Sequence, residues 1–175
     1  MQALVPYASA TVTAFLVLVL ARAAWHKAAA YHETVGFAQG YGLVPAAWTY
    51  PIVRALTAAE MLAILLMFLP ATRAFGGLLA AGLFAGYGVL MGLALRHGRS
   101  EIDCGCGGAP QPVSALTLGR NAVLAALALG IAAIPAGTVG AIGALVSLAA
   151  GLTFFAVYGV AEKLASHLPN IRRTA

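Results

Sequence analysis

The sequence predicts an all-α polytopic membrane protein that crosses the bilayer five times. Apolar residues make up 62% of the 175 residues and charged residues only 9%, roughly a third of the charged share of a soluble domain. The apolar residues form five blocks of 18 to 23 residues, close to the ~20 that cross a bilayer as a helix. Because unpaired backbone amides are costly in lipid and no alternating strand pattern accompanies the blocks, we expect helices.

Each apolar block is interpreted as one span of a single membrane domain that covers residues 1–175. The second block is closed by Pro70 and the fourth by Pro135, residues that do not continue a helix. No basic residue precedes the first block, so we expect a retained helix and not a signal peptide. The predicted spans are 5–24, 48–69, 74–95, 117–134 and 138–160.

The segment 25–44, between the first two spans, is too polar to cross the bilayer. It nevertheless carries four aromatic residues among alanines and histidines, Trp25, Tyr31, Phe37 and Tyr41. Aromatic rings of this kind are common at the boundary between lipid and water. The composition favours an amphipathic stretch that lies at the interface, and an ordinary solvated loop remains the alternative.

The basic residues predict the orientation of the chain in a cell membrane. Nine of the ten Lys and Arg residues fall on the side that holds segment 25–44, the loop 96–116 and the C-terminal tail, and Arg73 alone falls on the other. Cytoplasmic loops carry the excess of basic residues, so we expect the N-terminus outside and loop 96–116 in the cytoplasm. The basic residues are scattered between apolar blocks and form no patch, so no nucleic-acid partner is expected.

Two glycine pairs in the third span predict close helix packing. They are Gly82-x-x-x-Gly86 and Gly88-x-x-x-Gly92. Small residues at this spacing allow two helix backbones to approach each other. We therefore expect the third span to contact its neighbours through these glycines.

Glu60 lies in the middle of the second span, where an unpaired carboxylate is expensive. One interpretation is a structural partnership with Arg120 or with Asn121, both near the start of the fourth span. The other is a functional role, as a proton relay or as the polar wall of a cofactor pocket. The sequence leaves both open.

The most informative segment is loop 96–116, because it contains both cysteines of the chain, Cys104 and Cys106. A disulfide between residues two apart closes a very small ring, which departs from relaxed geometry and is easier to reduce than a structural bridge. Nearby positive charge and the N-terminus of the fourth span, capped by Ser114 or Thr117, would favour the thiolate, whereas nearby carboxylates would oppose it. The supporting residues are Arg96, His97, Arg99, Asp103 and Arg120.

Three kinds of chemistry fit this cysteine pair. The first is thiol–disulfide exchange. The second is binding or transport of a soft metal such as copper or mercury, with His97 as a further ligand. The third is a structural disulfide or two inert thiols. Zinc is poorly supported, because a structural zinc site normally needs four ligands.

The run Glu101-Ile102-Asp103-Cys104-Gly105-Cys106-Gly107-Gly108, followed by Arg120-Asn121, resembles the MauE methylamine-utilisation family, which is grouped with DoxX-like redox-associated membrane proteins. Lys27, the stretch 37–45 and Glu60 also stand where that family's features are expected, so the resemblance covers roughly residues 10–135. One departure is visible. Gly107 stands where the family often has an aromatic residue.

The resemblance implies a membrane oxidoreductase, or an accessory subunit of one, that supports disulfide formation or maturation of exported proteins beside a thioredoxin-like partner. It also implies a four-helix bundle similar to vitamin K epoxide reductase and DsbB-type enzymes, with one added helix. A membrane quinone is a candidate cofactor, with Glu60, Arg120 and Asn121 as candidate lining residues. The implied work on exported proteins would place the cysteines outside, in conflict with the charge count.

Overall fold

A computed structural model describes residues 4–98 and 112–173, with side chains up to His167. All six elements in this part of the chain are α-helices. They are α1 (Val5–Ala29), α2 (Tyr31–Gly40), α3 (Ala46–Phe68), α4 (Arg73–Arg96), α5 (Ala115–Ala133) and α6 (Ala141–Arg173).

Five of these helices, all except α2, are long and apolar enough to cross a membrane. The predicted all-α fold with five membrane helices is therefore confirmed, while the resemblance to vitamin K epoxide reductase and DsbB-type bundles stays a prediction. Helix α1 continues to Ala29, beyond the predicted span 5–24, and α6 continues past residue 160. Both extensions carry a charged side chain that is buried against partners, Lys27 in α1 and Glu162 in α6, so the charge does not force the helix to end.

The segment predicted to lie at the interface, 25–44, is divided between two helices. Its first residues complete α1, and most of the remainder forms α2. Helix α2 packs against α3, and its Thr34 and Val35 are buried. The location of α2 at a membrane surface stays a prediction.

Neighbouring helices in the bundle follow the order α5, α4, α3, α1 and α6, in which each helix packs against the next. The apolar core lies where α1, α3, α4 and α5 meet. Leu16, Ala63, Ala80 and Ala128, one from each of these helices, have no exposed surface. Helix α6 joins this core through Tyr158, whose ring meets Phe15 of α1 edge-on at a centroid distance of 5.7 Å.

Helix α4 approaches its neighbours most closely through Gly76 and Gly77, which the predicted pairs do not include. A Cβ on Gly77 would lie 2.9 Å from the Ala128 carbonyl oxygen of α5, and one on Gly76 would lie 2.8 Å from the Met67 backbone nitrogen of α3. Of the predicted pairs, Gly88 and Gly92 do face α5, where a Cβ on each would lie 3.8 Å from the Asn121 and 3.7 Å from the Leu118 side chain. Gly82 and Gly86 have nothing within 4 Å. The prediction was wrong for that pair because a repeat of small residues does not reveal which face of the helix meets protein and which meets lipid.

Arg73, the first residue of α4, links α4 to α1 and α5 at one end of the bundle. Its buried guanidinium donates hydrogen bonds to the Ser9 hydroxyl of α1 and to the Ile134 carbonyl at the end of α5. These contacts join three helices at one level. The other end of α4 leads into loop 96–116, which holds both cysteines and is called the cysteine segment below.

Candidate functional site

Four of the predicted site residues lie outside the described residues. They are Arg99, Asp103, Cys104 and Cys106. The structure does describe the helix ends on either side of them. A Cβ on Gly92 would lie 3.7 Å from the Leu118 side chain, so the last turns of α4 lie beside the first turn of α5. The cysteine segment thus connects two adjacent helix ends.

The described flanks of this segment are well-formed helix ends. Arg96 closes α4 and is exposed, and the ring Nδ1 of the exposed His97 lies 2.8 Å from the Leu93 carbonyl oxygen. At the start of α5, Ser114 forms a capping box with Thr117, in which each side chain accepts a hydrogen bond from the other's backbone N–H. The predicted cap by Ser114 is confirmed. Such a box satisfies two N–H groups that the helix itself leaves unpaired.

Glu60, Lys27 and Tyr87 form a buried polar group inside the bundle. The Lys27 ammonium and the Tyr87 hydroxyl each donate a 2.8 Å hydrogen bond to Glu60 Oε1. Lys27 Nζ also lies 5.2 Å from the centre of the Tyr87 ring, within the range of a cation–π contact. Glu60 has no exposed surface and Lys27 is only 4% exposed. The group therefore joins α1, α3 and α4 in the interior of the bundle.

This group is not completely satisfied. Glu60 Oε2 is buried and has no hydrogen-bond partner among the described residues. A buried carboxylate oxygen normally accepts at least one hydrogen bond, since leaving it unpaired costs free energy. Glu60 Oε2 can therefore accept a hydrogen bond from a further donor, such as a water molecule.

A second ionic group lies where α1, α5 and α6 meet. Glu162 of α6 pairs with two guanidinium groups, through Oε2 with Arg22 and through Oε1 with Arg120 at 2.6 Å. Arg22 also faces the rings of Phe155 and Tyr158, with its Cζ at 5.3 and 5.2 Å from the ring centres. The carboxylate is buried and so holds α6 against two earlier helices.

Glu60, Arg120 and Asn121 do not form one group, contrary to the predicted partnership. Glu60 pairs with Lys27, and Arg120 pairs with Glu162. Asn121 is buried and donates to the Thr117 carbonyl at 3.0 Å, with the Met91 sulfur at 3.9 Å. The expectation was wrong because it considered only residues inside the predicted spans, whereas both true partners lie just beyond predicted span ends.

Sequence reasoning therefore missed Lys27 as the partner of Glu60 and missed Glu162 altogether. A usable signal existed for both, because a charged residue within a membrane helix requires a counter-charge. Glu60 in the second predicted span needs a basic partner, and Lys27 follows the first predicted span by three residues. Arg120 in the fourth predicted span needs an acidic partner, and Glu162 follows the fifth by two residues. No sequence pattern indicates Tyr87, whose ring is one of many in an apolar chain.

Within residues 4–98 and 112–173, no group of three or more His, Cys, Asp or Glu side chains could hold a metal ion. Both cysteines of the proposed copper or mercury site lie outside this part of the chain.

Comparison with known proteins identifies the family. The family described as methylamine utilisation protein MauE matches residues 5–134, which include α1 to α5 and the cysteine segment. The chain belongs to the MauE family. This confirms the family that the Cys-Gly-Cys run indicated, while the grouping with DoxX-like proteins stays a prediction.

Individual MauE relatives agree with the family match. The methylamine utilisation protein MauE of Methylorubrum extorquens is 35% identical over 159 residues, which cover 88% of this chain and 86% of the relative. The MauE protein of Paracoccus denitrificans is 35% identical over 158 residues, covering 82% of this chain and 80% of the relative. The MauE protein of Methylophilus methylotrophus is 32% identical over 126 residues, covering 69% and 65%. No solved structure matches the chain.

Proposed function

We propose that this MauE-family chain is a membrane thiol–disulfide exchange protein that serves methylamine utilisation. Cys104 and Cys106 are its reactive pair, and a thioredoxin-like protein is its partner. The observation that carries the proposal is the Cys-Gly-Cys run itself. Both cysteines of the chain stand two residues apart in a polar segment between membrane helices.

The exchange proceeds by two thiolate attacks. One cysteine thiolate attacks the partner's disulfide, a mixed disulfide forms, and one partner sulfur leaves as a thiolate. The second cysteine then attacks the mixed disulfide and releases the second partner thiol. This chain's pair is now oxidised and the partner's disulfide is reduced, so two electrons and two protons have moved. The reverse sequence returns them.

Two features of the described residues support this chemistry. The ends of α4 and α5 lie side by side and α5 has a complete N-terminal cap, so the cysteine segment is attached at adjacent, ordered positions. The positive end of the α5 dipole favours negative charge nearby. Arg96 and His97 are exposed at the end of α4, where they can attract an acidic partner surface or stabilise a thiolate.

A single pair cannot complete an internal relay, so the electrons need a second acceptor or donor. We propose a membrane quinone for this role, which would exchange two electrons and two protons with the cysteine pair. The protons of this exchange would move along the polar side chains inside the bundle. Glu60, with one unsatisfied carboxylate oxygen, is the candidate to hold or release a proton.

We infer the orientation from the basic residues, with the N-terminus outside and the cysteine segment in the cytoplasm. This places the reactive pair where soluble thiol carriers are reduced. The chain would then draw electrons from the cytoplasm and pass them into the membrane, toward the maturation of exported proteins.

The test uses Cys104→Ser and Cys106→Ser, each alone and both together, in cells that express a tagged chain. One single variant should hold a thioredoxin-fold protein as a cross-link that dithiothreitol releases, because its resolving cysteine is gone. The double variant is the matched control and should hold nothing. If neither single variant forms a cross-link with a thioredoxin-fold protein, the exchange proposal is wrong.

A further inference from the structure

A cavity of about 130 Å³ lies beside the Lys27–Glu60 pair, between α1, α2, α3 and α4. For comparison, an apolar cavity of about 150 Å³ holds a benzene molecule. The cavity therefore has room for one ring. Its lining is apolar except for a few side chains, among them Lys27, Thr34, Thr49 and Tyr87.

Thr49 is the unusual member of this lining. It has no exposed surface, and its hydroxyl has no hydrogen-bond partner among the described residues. Other helical threonines of this chain satisfy their hydroxyls locally: Thr34, Thr57 and Thr153 each donate to the carbonyl four residues earlier. A buried hydroxyl that lines a cavity and is left unpaired indicates a ligand with a polar atom at that position.

Charge at the cavity favours a neutral ligand. Lys27 lines the cavity, but its ammonium is already neutralised by Glu60 at 2.8 Å. An anion would have to compete with this carboxylate and would be repelled by it. The ammonium carries two N–H groups beyond the one it donates to Glu60, so a neutral oxygen acceptor can approach it. The matching chemistry is a carbonyl oxygen on an apolar body.

The aromatic residues of the lining favour a planar ring. Phe37 and Tyr41 of the α2 region and Tyr87 of α4 supply aromatic surface to the cavity. Aromatic side chains pack well against another planar ring, face to face with an offset or edge-on. An ester carbonyl of a glycerolipid would offer the same acceptor without a ring to fill this volume.

We propose that this cavity binds the ring of a membrane quinone, with Thr49 and Lys27 as hydrogen-bond donors to one of its carbonyl oxygens. The proposal rests on the proposed function for the identity of the redox partner, but the binding site itself does not require the cysteines. This site does not include Arg120, which pairs with Glu162. It gives Thr49 the role of a hydrogen-bond donor to the quinone.

The test measures binding of decylubiquinone to the full chain in phosphatidylcholine nanodiscs, with protein-free nanodiscs subtracted. The wild-type chain should bind one quinone per chain saturably. Thr49→Val keeps the volume and removes one hydrogen bond, so binding should weaken about three- to tenfold. Ala38→Leu fills the cavity from α2 and should weaken binding at least about tenfold, because it removes the space for the ring.

Matched controls separate the cavity from general effects of substitution. Thr153→Val loses a hydroxyl on an exposed face, and Ala55→Leu adds the same bulk on the exposed face of α3; both should bind as the wild type does. Equal affinity in Thr49→Val, Ala38→Leu and the wild type would overturn the proposal. So would complete displacement of the quinone by dioctanoylglycerol with the same dependence on Thr49, which would identify a lipid ester as the occupant.

A variant without cysteines distinguishes this proposal from the exchange proposal. The chain with both Cys104→Ser and Cys106→Ser should bind decylubiquinone with unchanged affinity. If quinone binding persists there while no thioredoxin-fold cross-link is ever trapped, the cavity proposal stands and the exchange proposal fails. If trapping succeeds and saturable quinone binding is absent, the reverse holds.

Discussion

Lys27 at the end of α1 and Glu60 in the middle of α3 form an ion pair of 2.8 Å, with 5% and 0% of their side chains exposed. Isolated charges of either sign would be expelled from this part of the bundle. Each is tolerated because the other is present. The Tyr87 hydroxyl, also 2.8 Å from Glu60 Oε1, adds a third helix to the contact.

Removing one member of this pair should destabilise the protein more than removing both. Glu60→Gln leaves a buried ammonium without its counter-charge, and we expect a loss of about 3–5 kcal/mol. The same holds for Lys27→Met. The double variant should recover much of that loss, since no charge remains buried. Unfolding by denaturant in detergent micelles, carried out as a double-mutant cycle, measures the coupling. Additive losses in the double variant would show that the two side chains do not act as a pair.

Glu162 should control whether α6 stays docked. Glu162→Gln leaves Arg22 and Arg120 facing each other without a carboxylate, and the loss of charge-assisted hydrogen bonds should cost about 2 kcal/mol. Limited trypsin digestion in micelles should then cut more readily at Lys163, which is exposed and adjacent. Glu162→Asp, which retains a shorter carboxylate and the trypsin site, serves as the control. Unchanged digestion of Glu162→Gln would show that the ionic group does not hold α6.

Two glycines of α4 should respond to alanine with opposite signs. Gly77→Ala places a methyl group 2.9 Å from the Ala128 carbonyl oxygen and should destabilise the fold by about 1–3 kcal/mol, because α4 and α5 must separate. Gly82→Ala meets nothing within 4 Å and should stabilise by about 0.5–1 kcal/mol, since alanine favours the helix. Thermal unfolding of both variants in one detergent tests the contrast. A stable Gly77→Ala would mean that the two helices are farther apart.

The cysteine segment should be inaccessible from outside the cell. A membrane-impermeant maleimide, applied to intact cells after treatment with an impermeant reductant, should label neither Cys104 nor Cys106, and should label them after lysis. In the chain without these two cysteines, Ala71→Cys provides the control. Ala71 lies exposed between α3 and α4, at the opposite end of the bundle, and should be labelled in intact cells. Labelling of the native pair before lysis would reverse the orientation.

The sequence was sufficient for the five membrane helices, though not for the short helix α2, because each of the five reflects a local property. A run of about 20 apolar residues with few charges predicts a span wherever it occurs, and Ser114 predicts the start of α5 because its side chain caps the helix locally. These predictions require no knowledge of how the helices are arranged.

Partners were harder to predict because they depend on that arrangement. Glu60 clearly required a partner, but several basic residues could have supplied one. The choice of Lys27 over Arg120 follows from the packing of α1 against both α3 and α6, which brings Lys27 to Glu60 and Arg22 to Glu162. Thr49 is the extreme case, since its unpaired hydroxyl becomes visible only when all neighbouring atoms are known.

The contact between Arg22 and Glu162 spans 140 residues of sequence, and this separation has a consequence for biogenesis. A chain made from the N-terminus inserts α1 well before α6. Until α6 arrives, Arg22 and Arg120 lack their shared carboxylate within a nascent bundle. Assembly of the native packing is therefore completed only after α6 has been inserted, and chains truncated before Glu162 should be recognised and degraded by membrane proteases.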